Sequence, residues 1–329
     1  MTSILACLAA LVIVLLAMPA FIRFLQKKQF GQTIYELGPQ AHLGKKGTPN
    51  MGGVVIASAT IVAALGFSLY AGLAWRLFPL ILVALGAMAV GFADDYIKNI
   101  RKDHEGLKPR QKVIGQVVVG LLFSLYCYFT VGGSILLPFT QAQWNLGIFY
   151  IPLMTALYVF MTNSANLQDG ADGLLSSVAV VGGIAMGIIA LLLERYHDPL
   201  FSGASALCLF ALVGACAGFL RFNKHPARIM MGDTGSMFIG GVFVGAAMLM
   251  KLQFWLIPLC FTMIMSSVSV IMQRIYFKLT HGKRIFKMSP IHHHFELSGM
   301  SENQIVAMYS LVTLFLSLIA VLATLPLLR

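Results

Sequence analysis

Four short polar motifs could do chemistry in this chain of 329 residues: GFADDYIK at 91–98, NLQDGADG at 166–173, MGDTGS at 231–236 and PIHHHFE at 290–296. Each lies where a long apolar run breaks off, and alternation of the runs places all four on one side of a membrane. Carboxylates close to hydrocarbon are costly, so several at one depth mark a functional site. Aspartates supply the hard oxygen ligands that divalent cations take, and a helix start supplies backbone amides to phosphate. The chemistry expected is metal-dependent, at a membrane surface.

Each motif also has a structural explanation. Asp94 and Asp95 directly follow an apolar run and precede Lys98, Arg101 and Lys102, so a solvated helix end with ion pairs would account for them. Neighbours on a helix are about 100° apart, so the two carboxylates are expected to have separate roles. The Gly, Asp, Thr and Ser of MGDTGS could simply cap a helix. The same geometry leaves amides for phosphate, while Asp233 can hold a divalent cation. In NLQDGADG the glycines permit a tight turn. No Lys or Arg lies between 113 and 194 to pair with Asp169 or Asp172, which favours ligand contact there. His292, His293 and His294 are consecutive, and three such imidazoles cannot all bind one metal without distorting the chain. Hydrogen bonding of one or two of them to phosphate is the functional reading, and a His-rich surface loop the structural one.

The elements that must position these residues follow from composition. Apolar residues make up 58% of the chain and charged ones 11%, against about 25% charged in a soluble domain. Ten apolar stretches are long enough to span a bilayer, near 3–22, 51–72, 77–93, 113–131, 148–165, 174–193, 200–220, 235–250, 253–273 and 304–327. The first has no basic segment before it and is followed by Arg23, Lys27 and Lys28, so it reads as a span and not a cleaved leader. The run at 148–165 is short and ends on Asn163 and Asn166, an end expected to open into a polar cavity. Segment 132–150 has two apolar stretches around a polar centre and suggests a small hairpin lying on the outer surface. The longest connections are too short for an independent core. The expectation is a single polytopic domain over 1–329: an all-α integral membrane bundle of about ten transmembrane helices.

Orientation comes from the basic residues. Five segments, 23–50, 94–112, 163–173, 221–234 and 274–303, hold 19 of the 23 Lys and Arg. The positive-inside rule therefore puts both termini outside and the four motifs on the cytoplasmic face. The net charge of +11 is spread over membrane-flanking loops with no basic helix, which speaks against nucleic acid and for anionic membrane lipids and a phosphorylated substrate. The five cysteines lie within apolar runs, form no CxxC and read as packing residues. An ion-coupled transporter would need ionisable groups near the bilayer midplane, and the central parts of the spans carry almost none.

With HLGKKGTPNMGG at 42–53, FNKHPARIMMGDTGS at 222–236 and PIHHHFELSG at 290–299, the chain resembles the bacterial phospho-N-acetylmuramoyl-pentapeptide transferases from Lys45 to Glu302. The HHHFE segment is the most specific element. Related enzymes that move N-acetylglucosamine phosphate share the DD and NxxDGxDG patterns but are not expected to carry it.

The resemblance implies transfer of phospho-N-acetylmuramoyl-pentapeptide from its UDP carrier to undecaprenyl phosphate, in the bacterial cytoplasmic membrane, with Mg²⁺ as cofactor. It implies that Asp233 binds the Mg²⁺ and that Asp94 and Asp95 line the acceptor phosphate. Asn166, Asp169, Asp172, Asn223, Gly232 and Ser236 match nucleotide-sugar and inhibitor contacts. Lys45 would meet uridine or phosphate, and His292, His293 and His294 would sit at the transferred phosphosugar. A homodimer is among the assemblies allowed. The sequence departs from the family pattern at Asn50, where a threonine is usual, at Gln168 and Ala171 in NLTDGLDG, and at Met230, where an aromatic residue suited to stacking on uracil is common. Asn50 and Met230 stay among the expected substrate contacts.

Overall fold

The computed structural model describes residues 1–28, 47–101, 106–196 and 201–328, and Lys45 lies outside them. Long helices dominate: α1 (Thr2–Lys27), α2 (Gly53–Tyr70), α3 (Ala74–Arg101), α4 (Pro109–Thr130), α5 (Tyr150–Gln168), α6 (Leu174–Tyr196), α7 (Ser202–Asn223), α8 (Gly232–Leu249) and α12 (Glu302–Thr324). Between α8 and α12 come α9 (Leu256–Leu259), α10 (Phe261–Leu279) and the short α11 (Ile291–Glu296). Among the described residues, nine helices are long and apolar enough to cross a membrane, and a bent pair supplies a tenth. Their outer faces expose large apolar side chains such as Leu16, Leu122, Phe129, Leu311 and Phe315, as lipid-facing surfaces do. The protein is a multi-pass, all-α membrane bundle.

α8 runs through the centre, with every residue from Thr234 to Leu249 buried. It packs most extensively on α3, while α7 holds α1 and α6. Small residues let these backbones approach: Gly241 faces Ala84 and Ala87 of α3, and Gly245 faces Val83. Close van der Waals packing of this kind holds helices together where lipid removes the hydrophobic drive.

Two expected spans differ in shape. The run read as ending at 93 continues as helix to Arg101, so Asp94 and Asp95 lie within α3, at 3% and 1% exposure, and not at a solvated end. The run at 253–273 is broken, with Gln253–Leu259 and Phe261–Leu279 bent by 87°. Cys260 stands between the two arms. The Trp255 indole donates to Ala320 O and Thr324 Oγ1 of α12, pinning the short arm. The expected hairpin is present, with β1 (Ser134–Leu136) antiparallel to β2 (Gln143–Asn145). Of the five free cysteines, Cys127, Cys208, Cys216 and Cys260 are buried and Cys7 is half-buried.

Candidate active site

The site grows from the contact between α3 and the start of α8. A Cβ on Gly91 would overlap the backbone of Asp233, so glycine there lets the two helices touch. That contact brings the Asp95 carboxylate under the end of α8. It accepts from Asp233 N at 3.2 Å, Thr234 N at 2.8 Å and Thr234 Oγ1 at 2.6 Å. First-turn amides have no partner within their helix and carry the positive end of its dipole, so a buried carboxylate is well placed there. Two of the amides that the sequence offered to phosphate are thus taken up by Asp95. Gly232 has φ +76, and a Cβ on it would meet Asp95 Oδ2 and Asn50 Oδ1. Asn50 Nδ2 reaches Asp95 Oδ1 at 3.5 Å.

Asp94, a helical step away, faces a different neighbourhood, as the 100° separation requires. Its Oδ1 accepts the Leu107 amide at 2.8 Å, and its Oδ2 lies 2.6 Å from Lys98 Nζ and 3.7 Å from Lys112 Nζ. Asp233 shares both lysines: its Oδ2 pairs with Lys112 Nζ and lies 3.4 Å from Lys98 Nζ. Its Oδ1 accepts from Asn166 Nδ2 at 2.7 Å, and the same amide donates to Ser236 Oγ at 3.1 Å. Four helices, α3, α4, α5 and α8, therefore converge on two carboxylates and two ammonium groups.

Asp94 and Asp233 offer carboxylate oxygens, the donor type a hard divalent cation takes, and here the Lys98 ammonium lies between them, 2.6 and 3.4 Å away. Among the described residues, the group of three His, Asp or Glu ligand atoms lying within 4.8 Å of one another is elsewhere, at Asp172, His225 and Glu302.

That second cluster organises the wall of the site. Glu302 Oε2 accepts the Asp172 amide at 2.7 Å. His225 Nδ1 lies 3.1 Å from Asp172 Oδ2 and 3.3 Å from Glu302 Oε1, and Ala227 N donates to Asp172 Oδ2 at 2.9 Å. Asn223 continues the seam, accepting from Gly173 N and Ser176 Oγ and donating to Ile229 O. Asp169 caps the end of α5 at the edge of the same turn. His292, 1% exposed, packs against Gly170, where a Cβ would overlap its ring. His293 lies against His292, ring centroids 4.2 Å apart, with its Nδ1 3.1 Å from Glu296 Oε2, while His294 Nδ1 accepts the Lys287 amide.

Most of the sequence-derived residues thus meet at one end of the bundle. Asn223 and Ser236 are buried and engaged with their neighbours. Met230 joins the seam through its backbone, donating to Pro49 O and accepting from Gly52 N. Sequence reasoning missed Lys112, Thr234, His225 and Glu302 as site residues, and treated Lys98 only as an ion-pair partner. Lys98 was within reach, four residues after Asp94 on one helix face.

An apolar groove of about 740 Å³ runs beside this centre between α4, α5 and α10. Val117, Leu121, Val159, Phe160 and Ile271 line it, and Asn163 and Leu167 stand at its polar end, one turn or less from Asn166. Asn163 donates to Gln116 Oε1 at 2.9 Å, and Gln116 donates to Thr162 Oγ1, so the polar groups there are satisfied.

A family model described as glycosyl transferase family 4 matches residues 77–251, which include both aspartate centres and the NLQDGADG turn. The phospho-N-acetylmuramoyl-pentapeptide-transferase of Listeria monocytogenes is 42% identical over 299 residues, 90% of each chain. That of a Thermoanaerobacter species is 42% identical over 313 residues, covering 94% of this chain and 95% of its own. That of Bacillus pumilus is 41% identical over 305 residues, 92% of each. Identity at this level over nine-tenths of the length carries the whole helical bundle and its polar end together, and the chain belongs to the phospho-N-acetylmuramoyl-pentapeptide transferase family, a family of membrane transferases.

Proposed function

We propose that this chain transfers phospho-N-acetylmuramoyl-pentapeptide from its UDP carrier to undecaprenyl phosphate, releasing UMP, at the cytoplasmic face of the bacterial inner membrane. The observation that carries this reading is the Asp94–Lys98–Lys112–Asp233 centre standing at the end of the apolar α4–α5–α10 groove. A substrate with a phosphate head and a long hydrocarbon chain matches that pairing of charge and apolar surface.

In this reading the lipid chain lies in the groove and its phosphate meets Lys98 and Lys112, with Asp94 holding both lysines and the 106–108 segment in register. An acceptor oxygen attacks the sugar-bearing phosphorus of the donor. The bond from that phosphorus to the bridging oxygen breaks, and UMP departs with the electron pair. Phosphoryl transfer asks the protein chiefly for position and charge neutralisation. Mg²⁺, when bound at Asp233, supplies part of that neutralisation. Asp95 holds the start of α8, and hence Asp233, in place. Asp169, Asp172 and Met230 form the nucleotide side, braced by Asn223, Glu302 and His225. Of the three histidines, His292 is the one turned toward Gly170, and the reading assigns it to the phosphosugar.

A transfer of N-acetylglucosamine phosphate would share the aspartate centre, but the HHHFE segment favours the muramoyl substrate. The deciding experiment is a purified-protein assay that offers UDP-N-acetylmuramoyl-pentapeptide or UDP-N-acetylglucosamine with undecaprenyl phosphate, with and without Mg²⁺. Product from the first donor alone, and only with the metal, is expected. Turnover of the second donor at a comparable rate would overturn the assignment.

A further inference from the structure

A second polar cavity, of about 530 Å³, lies at the same end of the bundle as the site but behind its wall. Pro19, Ile22, Arg23 and Gln26 of α1 form one side, and Thr48, Pro49, Ala227 and Arg228 form the other. Two arginines from segments about 200 residues apart in sequence line it, with no carboxylate among the described residues of its lining. The Arg228 guanidinium sits over the Phe222 ring, 5.9 Å from its centroid, which fixes its place.

The α1 face that enters the cavity continues away from it as a stripe at helical spacing. Val12, Leu15 and Leu16 precede Pro19 by three to seven residues and are all exposed. One surface thus offers apolar side chains along the span and two arginines where the span ends. Basic pockets at helix ends on a membrane bind anionic lipid head groups. We propose that this cavity holds the phosphodiester of an anionic phospholipid, with its acyl chains along the Val12–Leu16 stripe of α1.

The position gives such a lipid a structural task. Pro49 O receives the Met230 amide, and the Ala227 amide holds Asp172, so the far side of the cavity wall is the nucleotide side of the candidate site. A head group bound by Arg23 and Arg228 ties α1 to that wall.

Full-length protein in detergent can be titrated with phosphatidylglycerol or phosphatidylcholine, and bound lipid counted by native mass spectrometry. Wild type should prefer phosphatidylglycerol. Arg23→Gln and Arg228→Gln should each weaken that binding by about fivefold, with no effect on phosphatidylcholine. The paired Arg23→Lys and Arg228→Lys variant should retain it, since the charge remains. Lys278→Gln, in a separate basic pocket with Arg274 and Arg284, should change nothing. Unchanged phosphatidylglycerol binding in the single glutamine variants overturns the proposal, as does loss in Lys278→Gln alone. Displacement of the lipid by inorganic phosphate or UMP, dependent on the two arginines, would show that the cavity takes a soluble phosphate and would equally overturn it. Should one single glutamine variant fail to fold, the other and the paired lysine variant still decide.

Discussion

Asp95 of α3 closes the N-terminus of α8 by accepting both the amide and the hydroxyl of Thr234, at 2.8 and 2.6 Å. Hydrogen bonds to a charged group contribute about 1.5–3 kcal/mol each, and leaving buried donors unmatched costs about as much. Asp95→Asn should therefore lower the melting temperature clearly. Thr234→Val, which removes one of the bonds, should lower it less. Asp94→Asn should have the smallest effect of the three, because Asp94 bonds one loop amide and two partly exposed lysines. Thermal melting of the purified variants checks the order, and equal melting of Asp94→Asn and Asp95→Asn would refute the capping role.

Asp94 has two candidate jobs in the proposed reaction, and pH separates them. The second pKa of a phosphate monoester is about 6, so an acceptor phosphate is largely dianionic at neutral pH and needs little help from a base. The carboxylate is instead engaged with Lys98, Lys112 and the Leu107 amide. Asp94→Asn should thus lose activity at every pH, because positioning does not return as the acceptor deprotonates. A pH–rate profile showing recovery to near the wild-type rate above neutrality would make Asp94 a base after all.

The spans were legible because hydrocarbon demands long uninterrupted apolar helices, and the hairpin because two apolar stretches flank a polar turn. The 87° break was not, since mean hydropathy over a window is blind to bending. The motifs named residues that converge at one end of the bundle but not how they are held. Asp95 meets Thr234 across 139 residues, Lys112 meets Asp233 across 121 and Glu302 meets Asp172 across 130. Such pairings depend on how whole helices register in space, which no local pattern encodes. The charge pairing of Asp94 and Asp95 with following basic residues was half visible: Lys98 does pair with Asp94, yet burial against α8 replaces the solvated end that spacing suggested.

Asp233 accepts from Asn166 through one oxygen and meets both lysines through the other. A neutral amide would lack the charge that a hard cation favours. Asp233→Asn should therefore lose most activity, with a residue that rises as Mg²⁺ is raised. Asp172→Asn, whose partners are His225, Ala227 and Glu302, should lose activity without that response. Steady-state rates across a Mg²⁺ series distinguish them. Equal, metal-independent losses in both would argue against a metal role for Asp233.

Orientation rests on the distribution of basic residues and can be read directly. Gln141 is exposed between the two hairpin strands, on a segment expected outside. Gln141→Cys, in a background lacking the native cysteines, should react with an impermeant thiol reagent applied to intact cells. Labelling only after permeabilisation would reverse the topology and place the candidate site on the other face.

Met230 is an expected nucleotide contact, and its backbone is clamped between Pro49 O and the Gly52 amide. Stacking of a base on an aromatic ring is worth about 1–3 kcal/mol by alanine substitution, and methionine offers a softer apolar contact in its place. Phe222, the nearby alternative, is buried and covered by the Arg228 guanidinium, which leaves its ring poorly placed to receive a base. Met230→Phe should therefore bind UMP at least as tightly as wild type, and Met230→Ala should bind it more weakly. If Met230 served only to pack the bundle, phenylalanine would overfill its space and cost about 1–3 kcal/mol of stability with no gain in binding. Calorimetric titration of UMP, alongside thermal melting of both variants, separates the two. Unchanged affinity in Met230→Ala would remove the residue from the nucleotide side of the site.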